Sequence, residues 1–365
     1  MQDIIGRNYK RQCLFVTYIP SFYKVTLLNL LSEFFPDLHV LYLSRGSAIR
    51  SDEFFLEKEK FRFDVVHSVP FEGVRGWKGV LSAIKLNWRA NAKVVILPGW
   101  DRLEFWAILI SSRKSKKVLV LESTIEESTV HGIKGVLKRL FLKYIDCVIA
   151  SGDSHKTLLR ELGFSGEVKI SNGVGMLDEV FVAKRSAEAS SEIEPSFKNL
   201  VFVGRLSKEK NVPLLIEAVK RFERLSLTIV GTGPLEESLT AQASGFLNIR
   251  FVGTKNRREV SELLESMDAL ILPSERETWG LVVEEALAKG LPVIVSKTSG
   301  ISCFACDTLG AGIKVDATVE GICSGLAQMS DVGKFRQLKT YALAYNQRSK
   351  DLDYLNVFRN VIDDE

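Results

Sequence analysis

The stretch LPSERETWGLVVEEALAKGLPVIVS, residues 272–296, decides how this chain is read. It opens on the end of an apolar run, 269–272, and closes on a second run, 292–295, with a helix pattern over 281–289 between them. Gly290 is well placed to stop that helix. Two parallel strands need a crossover connection, and a helix is the usual one, so strand, helix and strand imply a parallel sheet. The loop between strand and helix carries Glu277, Thr278, Trp279 and Gly280, and the helix carries Glu284 and Glu285.

The same alternation extends in both directions. Around the opening stretch, strands are expected over 199–203, 225–230, 248–252, 269–272, 292–295 and 312–315, and helices over 212–222, 234–243, 257–266, 281–289 and 318–329. Earlier, strands are expected over 13–17, 39–43, 64–69, 93–97, 117–122 and 147–150, and helices over 25–35, 78–89, 103–112, 133–144 and 154–162. This order predicts an α/β chain of two Rossmann-like, doubly wound parallel-sheet domains facing across a cleft. The polar stretch 184–195 separates them. The divisions are therefore 1–184, 185–340, and a helical segment 341–365 expected to pack back on the first domain.

Composition bounds the function. The 365 residues suggest about two domains of ~150 residues. Apolar residues at 46% and charged residues at 26% are globular values. A net charge of +4 falls well short of a dedicated nucleic-acid binder and suits an anionic substrate or an anionic membrane surface. The cysteines, Cys13, Cys147, Cys303, Cys306 and Cys323, are odd in number and scattered, which argues against a disulfide framework. Cys303 and Cys306 form one C-x-x-C with no second pair or nearby histidine to complete a zinc site, so buried small side chains are expected there. Residues 1–18 carry no signal-peptide core, and the apolar run 105–110 is far short of the ~18 residues a spanning helix needs. The expectation is a cytoplasmic chain, with any membrane contact peripheral, at the inner face of the cytoplasmic membrane.

Three segments carry chemistry. In Gly204-Arg205-Leu206-Ser207-Lys208-Glu209-Lys210-Asn211, a glycine at a strand end lets a ligand approach. Arg205 offers a planar fork to phosphate oxygens, Lys210 adds a point charge, and the helix starting near Val212 adds N–H groups and a dipole end. A diphosphate site and a solvated basic turn weigh about equally on this segment alone. The second segment is the opening stretch, whose Glu277 and Glu285 can accept from sugar hydroxyls. As a glycosidase pair they are poorly spaced, since eight helical residues rise about 12 Å and such pairs sit about 5–9.5 Å apart. Glu284 is assigned to the helix surface. The third segment, Gly231-Thr232-Gly233-Pro234, opens a helix with Pro234 in its first turn and lacks the full G-x-G-x-x-G fingerprint.

Taken together, VGRLSKEKN, IVGTGPLEESL, FVGTKNRREV and the opening stretch resemble the glycosyltransferase family 4 members, retaining enzymes of the GT-B fold. The likeness is strong over 201–296 and weak over the first half. It implies that Arg205 and Lys210, beside Gly204, hold the diphosphate of a nucleotide-sugar donor, and that Glu277 contacts the donor sugar and Glu285 the ribose. It further implies backbone N–H groups of Trp279, Gly280 and Leu281 near sugar and phosphate, with Gly231 and Gly233 at a strand end and Gly253 and Thr254 bordering the base. No metal is expected, because the basic pair and helix ends replace it.

The first half departs from the family pattern. Many members carry paired glycines after the first strand, where this chain has Thr17-Tyr18-Ile19-Pro20-Ser21-Phe22-Tyr23-Lys24, and a histidine where this chain has Glu122-Ser123. Glu122 is the candidate partner of the acceptor hydroxyl. Trp100 and Asp101 follow a strand and are candidates for acceptor contact, with Asp101 equally readable as a helix N-cap. His131 reads as a loop residue, and His39, His67 and His155 show no partners in the sequence that raise them above ordinary positions. Residues 132–144 set Lys134, Lys138, Arg139 and Lys143 against Ile133, Val136, Leu137, Leu140 and Phe141, a basic amphipathic helix readable as a membrane-surface element or as an ordinary domain helix. On the first reading the acceptor is lipid-linked, as in polysaccharide, O-antigen or glycolipid assembly; otherwise a saccharide acceptor serves. An epimerase of the same fold and a non-catalytic scaffold are the alternatives.

Overall fold

The computed structural model describes residues 12–48, 55, 57–74, 77, 79–175, 181 and 197–363. They fall into two compact units, 1–176 with 350–365, and 177–349. The border expected at 184/185 lies outside the described residues. At the other end the chain rejoins the first unit at 350 rather than 341.

In the first unit the order is β1 (Cys13–Thr17), α1 (Phe22–Phe34), β2 (Leu38–Tyr42), β3 (Arg62–Val65), α2 (Val80–Ala90), β4 (Val94–Leu97), α3 (Leu103–Ser111), β5 (Lys116–Leu121), α4 (Gly132–Leu142), β6 (Cys147–Ala150), α5 (Asp153–Glu161) and β7 (Glu167–Ile170). The second unit carries β8 (Asn199–Val203), α6 (Val212–Val219), β9 (Ser226–Val230), α7 (Glu236–Gln242), β10 (Ile249–Phe251), α8 (Arg257–Glu265), β11 (Ala269–Leu272), α9 (Leu281–Ala288), β12 (Val293–Ser296), β13 (Gly312–Val315), α10 (Val319–Ser330) and α11 (Val332–Ala344). The last helix, α12 (Gln347–Asp363), lies mostly in the first unit.

The first sheet runs β3-β2-β1-β4-β5-β6-β7 and the second β10-β9-β8-β11-β12-β13, with parallel pairing throughout. The central strands β1, β4 and β11 are buried along their whole length, which is why they read as unbroken apolar runs. In β1, Cys13 and Phe15 join one core cluster, while Leu14 and Val16 join another. The first cluster contains α1 and the α12 residues Tyr354, Phe358 and Val361. Phe358 packs 6.0 Å from Phe15, and Lys116 Nζ donates to the Val361 carbonyl at 3.0 Å.

Some elements differ from expectation. β7 is a partly exposed edge strand with no apolar run to announce it. α7 starts at Glu236, so Pro234 lies before the helix rather than in its first turn. A π-helical turn, Cys303–Thr308, follows β12, and Cys303 and Cys306 are half-buried there rather than fully buried.

Each sheet reverses its strand order once, between β1 and β4 and between β8 and β11. Crevices outside the carboxyl ends of strands at such reversals are where open α/β sheets bind ligands.

Candidate functional site

At the second reversal, three strand ends are drawn together by glycines. Gly204 N donates to the Val230 carbonyl at 3.0 Å, and Gly231 N to the Gly253 carbonyl at 2.8 Å. Gly231 has φ +122°, and a Cβ there would sit 2.0 Å from the Gly204 oxygen. A Cβ on Gly233 would sit 2.5 Å from the Leu206 oxygen. Side chains are therefore excluded where the three turns pack. Thr232 and Thr254 share a hydroxyl–hydroxyl bond of 3.1 Å across the same edge. Gly253 has φ +68° and open space around it.

Lys210 lies beside this cradle, its Cε 3.9 Å from the Cβ position of Gly204. Its ammonium forms an ion pair with Glu277 Oε2, with both side chains mostly buried. Ser274 Oγ, wholly buried, donates to the same carboxylate oxygen at 3.4 Å. Arg205 is exposed on the adjoining turn. The Ser207 hydroxyl, at 2.6 Å, and then the backbone amide of Glu209 hold the Glu209 carboxyl below its usual range.

The local folding explains these positions. A 3-10 turn over Lys208–Lys210 ends at Asn211, which adopts φ +59° and donates its side-chain amide to the carbonyls of Pro273 (3.2 Å) and Ala317 (3.1 Å). Asparagine tolerates that left-handed conformation better than most residues. Pro213 in the first turn of α6 has no N–H, so that helix end offers fewer donors than expected. The Glu277 loop is tied down by Gly300 N to the Glu277 carbonyl (2.9 Å) and Ile301 N to the Trp279 carbonyl (3.1 Å). Gly280 has φ +106°, and a Cβ there would meet Leu272 at 2.9 Å. Leu281 then starts α9, and Glu285 is half-buried one turn on. Ser274 bonds the Glu277 carboxylate and Asn211 the Pro273 carbonyl where that loop begins, and neither contact has a signal in the sequence.

Glu284 is not helix-surface charge: it is fully buried and accepts a hydrogen bond from Trp279 Nε1. The Trp279 indole, 1% exposed, is thus a core group.

At the first sheet's reversal, Tyr18 follows β1 and Asp101 follows β4, and the Tyr18 hydroxyl donates to Asp101 Oδ1 at 2.6 Å. Burial, then the Asp101 charge, raises the Tyr18 phenol well above its usual pKa. Asp101 is not the N-cap of α3. That position is Arg102, and it makes no side-chain capping bond. The Trp100 carbonyl accepts from Trp106 Nε1 at 2.8 Å. Glu122, after β5, forms an ion pair with Lys24, and its carbonyl is met by His155 Nε2 at 3.0 Å. Two further histidines have partners: His67 Nε2 lies 2.8 Å from the buried Glu104, and His39 Nε2 lies 3.0 Å from Asp64, while His131 lies in the loop that leads into α4.

On α4, the apolar residues Ile133 (81% exposed), Val136, Leu137 and Leu140 face outward, while Phe141 and Lys138 are buried. Lys138 is therefore not part of a solvated basic face. It donates to the Thr129 carbonyl at 2.8 Å, and burial, with the Lys134 charge next, lowers its pKa. Among the described residues no helix is long and apolar enough to cross a membrane.

Comparison with known proteins bears on the fold and the family. The family described as Glycosyl transferases group 1 matches residues 184–337. Sulfoquinovosyl transferase SQD2 of Arabidopsis thaliana is 36% identical over 108 residues, 30% of this chain and 21% of that protein. A glycogen synthase of Mycobacterium tuberculosis is 33% identical over 179 residues, 47% of this chain and 41% of its own length. The chain thus spans less than half the length of either relative. Among solved structures, the apo lipopolysaccharide outer core galactosyltransferase WaaB superposes with a TM-score of 0.72 at 15% identity, covering 96% of this chain and 98% of its own. Anabaena HepE in complex with UDP and glucose superposes with a TM-score of 0.68 at 16% identity, covering 96% and 99%. The two parallel sheets have the GT-B fold, and over residues 184–337 the chain carries a group 1 glycosyltransferase domain.

Proposed function

We propose that this chain is a retaining glycosyltransferase of the family 4 type, moving a sugar from a nucleotide-diphosphate-sugar donor to an acceptor hydroxyl in bacterial polysaccharide, O-antigen or glycolipid assembly. The observation that carries the reading is the Lys210–Glu277 ion pair set beside the glycine cradle of Gly204, Gly231 and Gly233. An incoming diphosphate competes with Glu277 for the Lys210 ammonium and frees that carboxylate to accept from sugar hydroxyls. Arg205 adds a fork for the phosphate, Glu285 takes the ribose, and the backbone at Trp279, Gly280 and Leu281 donates N–H groups. Gly253 and Thr254 border the base. The transition state places charge on the leaving diphosphate, and a preorganised donor there contributes about 2.7–4 kcal/mol by analogy with oxyanion holes. Lys210 and Arg205 supply that charge in place of a metal ion.

In the first unit, Glu122 accepts from the acceptor hydroxyl, with Trp100 and Asp101 on the same sheet edge. The exposed apolar face of α4, flanked by Lys134, Arg139 and Lys143, fits peripheral contact with an anionic bilayer through 132–144. That contact suits a lipid-linked acceptor and a place at the inner face of the cytoplasmic membrane. The similar structures WaaB, a galactosyltransferase, and HepE, bound to UDP and glucose, favour a nucleotide-sugar donor.

A thermal-shift screen of UDP-, GDP-, ADP- and dTDP-sugars tests the donor class. Binding to the native state adds about 2.7 kcal/mol at a hundredfold excess over Kd. The reading expects one nucleotide series to raise the midpoint, and a flat response to every series refutes it.

A further inference from the structure

Lys24 sits in the first turn of α1, after β1, while Glu122 lies at the end of β5, 98 residues further on. Their ion pair joins the start of α1 to the end of β5. The Lys24 side chain is 7% exposed and that of Glu122 32%. Removing an ammonium from water is costly unless it is paired, and Glu122 supplies the pairing.

The pair is also fixed from behind. Lys24 N bonds to the Ser21 carbonyl at 3.0 Å, holding the helix start. The wholly buried His155 holds the Glu122 carbonyl at 3.0 Å, and Ser151 Oγ holds the preceding Leu121 carbonyl at 3.2 Å. Glu122 is thus held at its own carbonyl by His155, at the preceding carbonyl by Ser151 and at its carboxylate by Lys24. Lys24 engages Oε1 alone. Oε2 has no hydrogen-bond partner among the described residues, on a side chain that stays one-third exposed. The Tyr18–Asp101 bond lies on the same sheet edge, and the Glu122 charge acts on the Tyr18 phenol.

We infer that Lys24 is a positioning residue for the transfer reaction: it fixes the Glu122 carboxylate in one orientation and leaves the second oxygen to accept from the acceptor hydroxyl. This rests on the reading of Glu122 given above. A point charge suits the task, because an ammonium holds one oxygen while a guanidinium fork tends to engage both.

The test is a double-mutant cycle of Lys24→Met and Glu122→Gln. Each protein is assayed for transfer from UDP-glucose, UDP-galactose and GDP-mannose to octyl glucoside, galactoside and mannoside, and for hydrolysis of the same donors in water. Lys24→Met is expected to lower the transfer kcat about tenfold or more, since a 1 Å misplacement can cost ~100-fold. Donor KM and donor hydrolysis stay near wild type, which a general loss of structure does not allow. The double variant is expected to match Glu122→Gln alone, because residues acting as one unit are not additive. It also removes both charges, so it keeps the fold even where Lys24→Met strands a carboxylate. Additive losses, or wild-type transfer by a folded Lys24→Met, overturn the inference. If Glu122→Gln itself transfers like wild type, the Glu122 reading falls first; if only Lys24→Met does, the positioning role alone falls. Crystal structures of wild type and Lys24→Met give a readout that needs no substrate. Glu122 is expected in one conformer in wild type and in a changed or split conformer in the variant; an unchanged conformer overturns the inference.

Discussion

Replacing Gly231 by alanine perturbs the turn that joins β9 to the candidate donor site. Two costs follow from the geometry. At φ +122° a Cβ is strained whatever space surrounds it, by about 1–3 kcal/mol. The added Cβ also falls 2.0 Å from the Gly204 oxygen and 3.0 Å from its carbonyl carbon. Those are backbone atoms, so relief requires the Gly204-Arg205 turn to move, and overpacking of this kind costs a further ~1–3 kcal/mol. The expected total is about 2–6 kcal/mol. Gly245→Ala separates the two costs, because Gly245 has φ +85° with no atom within 4 Å of its Cβ position. That variant carries the conformational strain alone, about 1–3 kcal/mol. Urea unfolding followed by circular dichroism reads both. With slopes of ~1–3 kcal/mol/M, Gly231→Ala lowers the midpoint further than Gly245→Ala by about 1 M at unchanged slope. Equal midpoints for the two variants refute the argument that close backbone approach builds this site.

Three further expectations concern other parts of the chain. Glu284→Ala removes a wholly buried carboxylate bonded to Trp279 and costs about 2–4 kcal/mol by chemical denaturation; a loss below ~0.5 kcal/mol is a surface value and contradicts the burial. Burial pushes the Cys13 and Cys147 thiols up to about 12, so at neutral to mildly alkaline pH little thiolate forms and both stay unmodified by iodoacetamide in the native protein; peptide mass spectrometry showing their labelling before unfolding contradicts this. The double variant Ile133→Asp and Val136→Asp, at positions 81% and 60% exposed, keeps its thermal midpoint but loses co-sedimentation with phosphatidylglycerol vesicles; unchanged sedimentation removes the membrane role of α4.

The strands were legible where burial on both faces leaves an unbroken apolar run, as in β1, β4 and β11. The candidate-site segments were legible because each is compact in sequence: Gly204 to Asn211, Gly231 to Pro234 and Glu277 to Glu285 each lie close after a strand end. What escaped is what depends on partners far off in sequence. Glu284 looks like surface charge until the Trp279 indole is seen folded onto it. Asp101 has the residue type of an N-cap, and the Tyr18 hydroxyl, 83 residues away, claims it instead. His67 with Glu104, and Lys24 with Glu122, are pairs made by the sheet order and carry no spacing signal. β7 is an edge strand with half-exposed residues, so its pattern is too weak to read.

Lys210 and Glu277 form the heart of the proposed nucleotide-sugar site. Steady-state turnover of the nucleotide sugar identified by thermal shift, as transfer or as donor hydrolysis, tests it in wild type, Lys210→Ala and Glu277→Ala. Each substitution is expected to lower turnover at least about tenfold, or ~1.4 kcal/mol of transition-state stabilisation. Turnover within a factor of about two of wild type in both variants contradicts it.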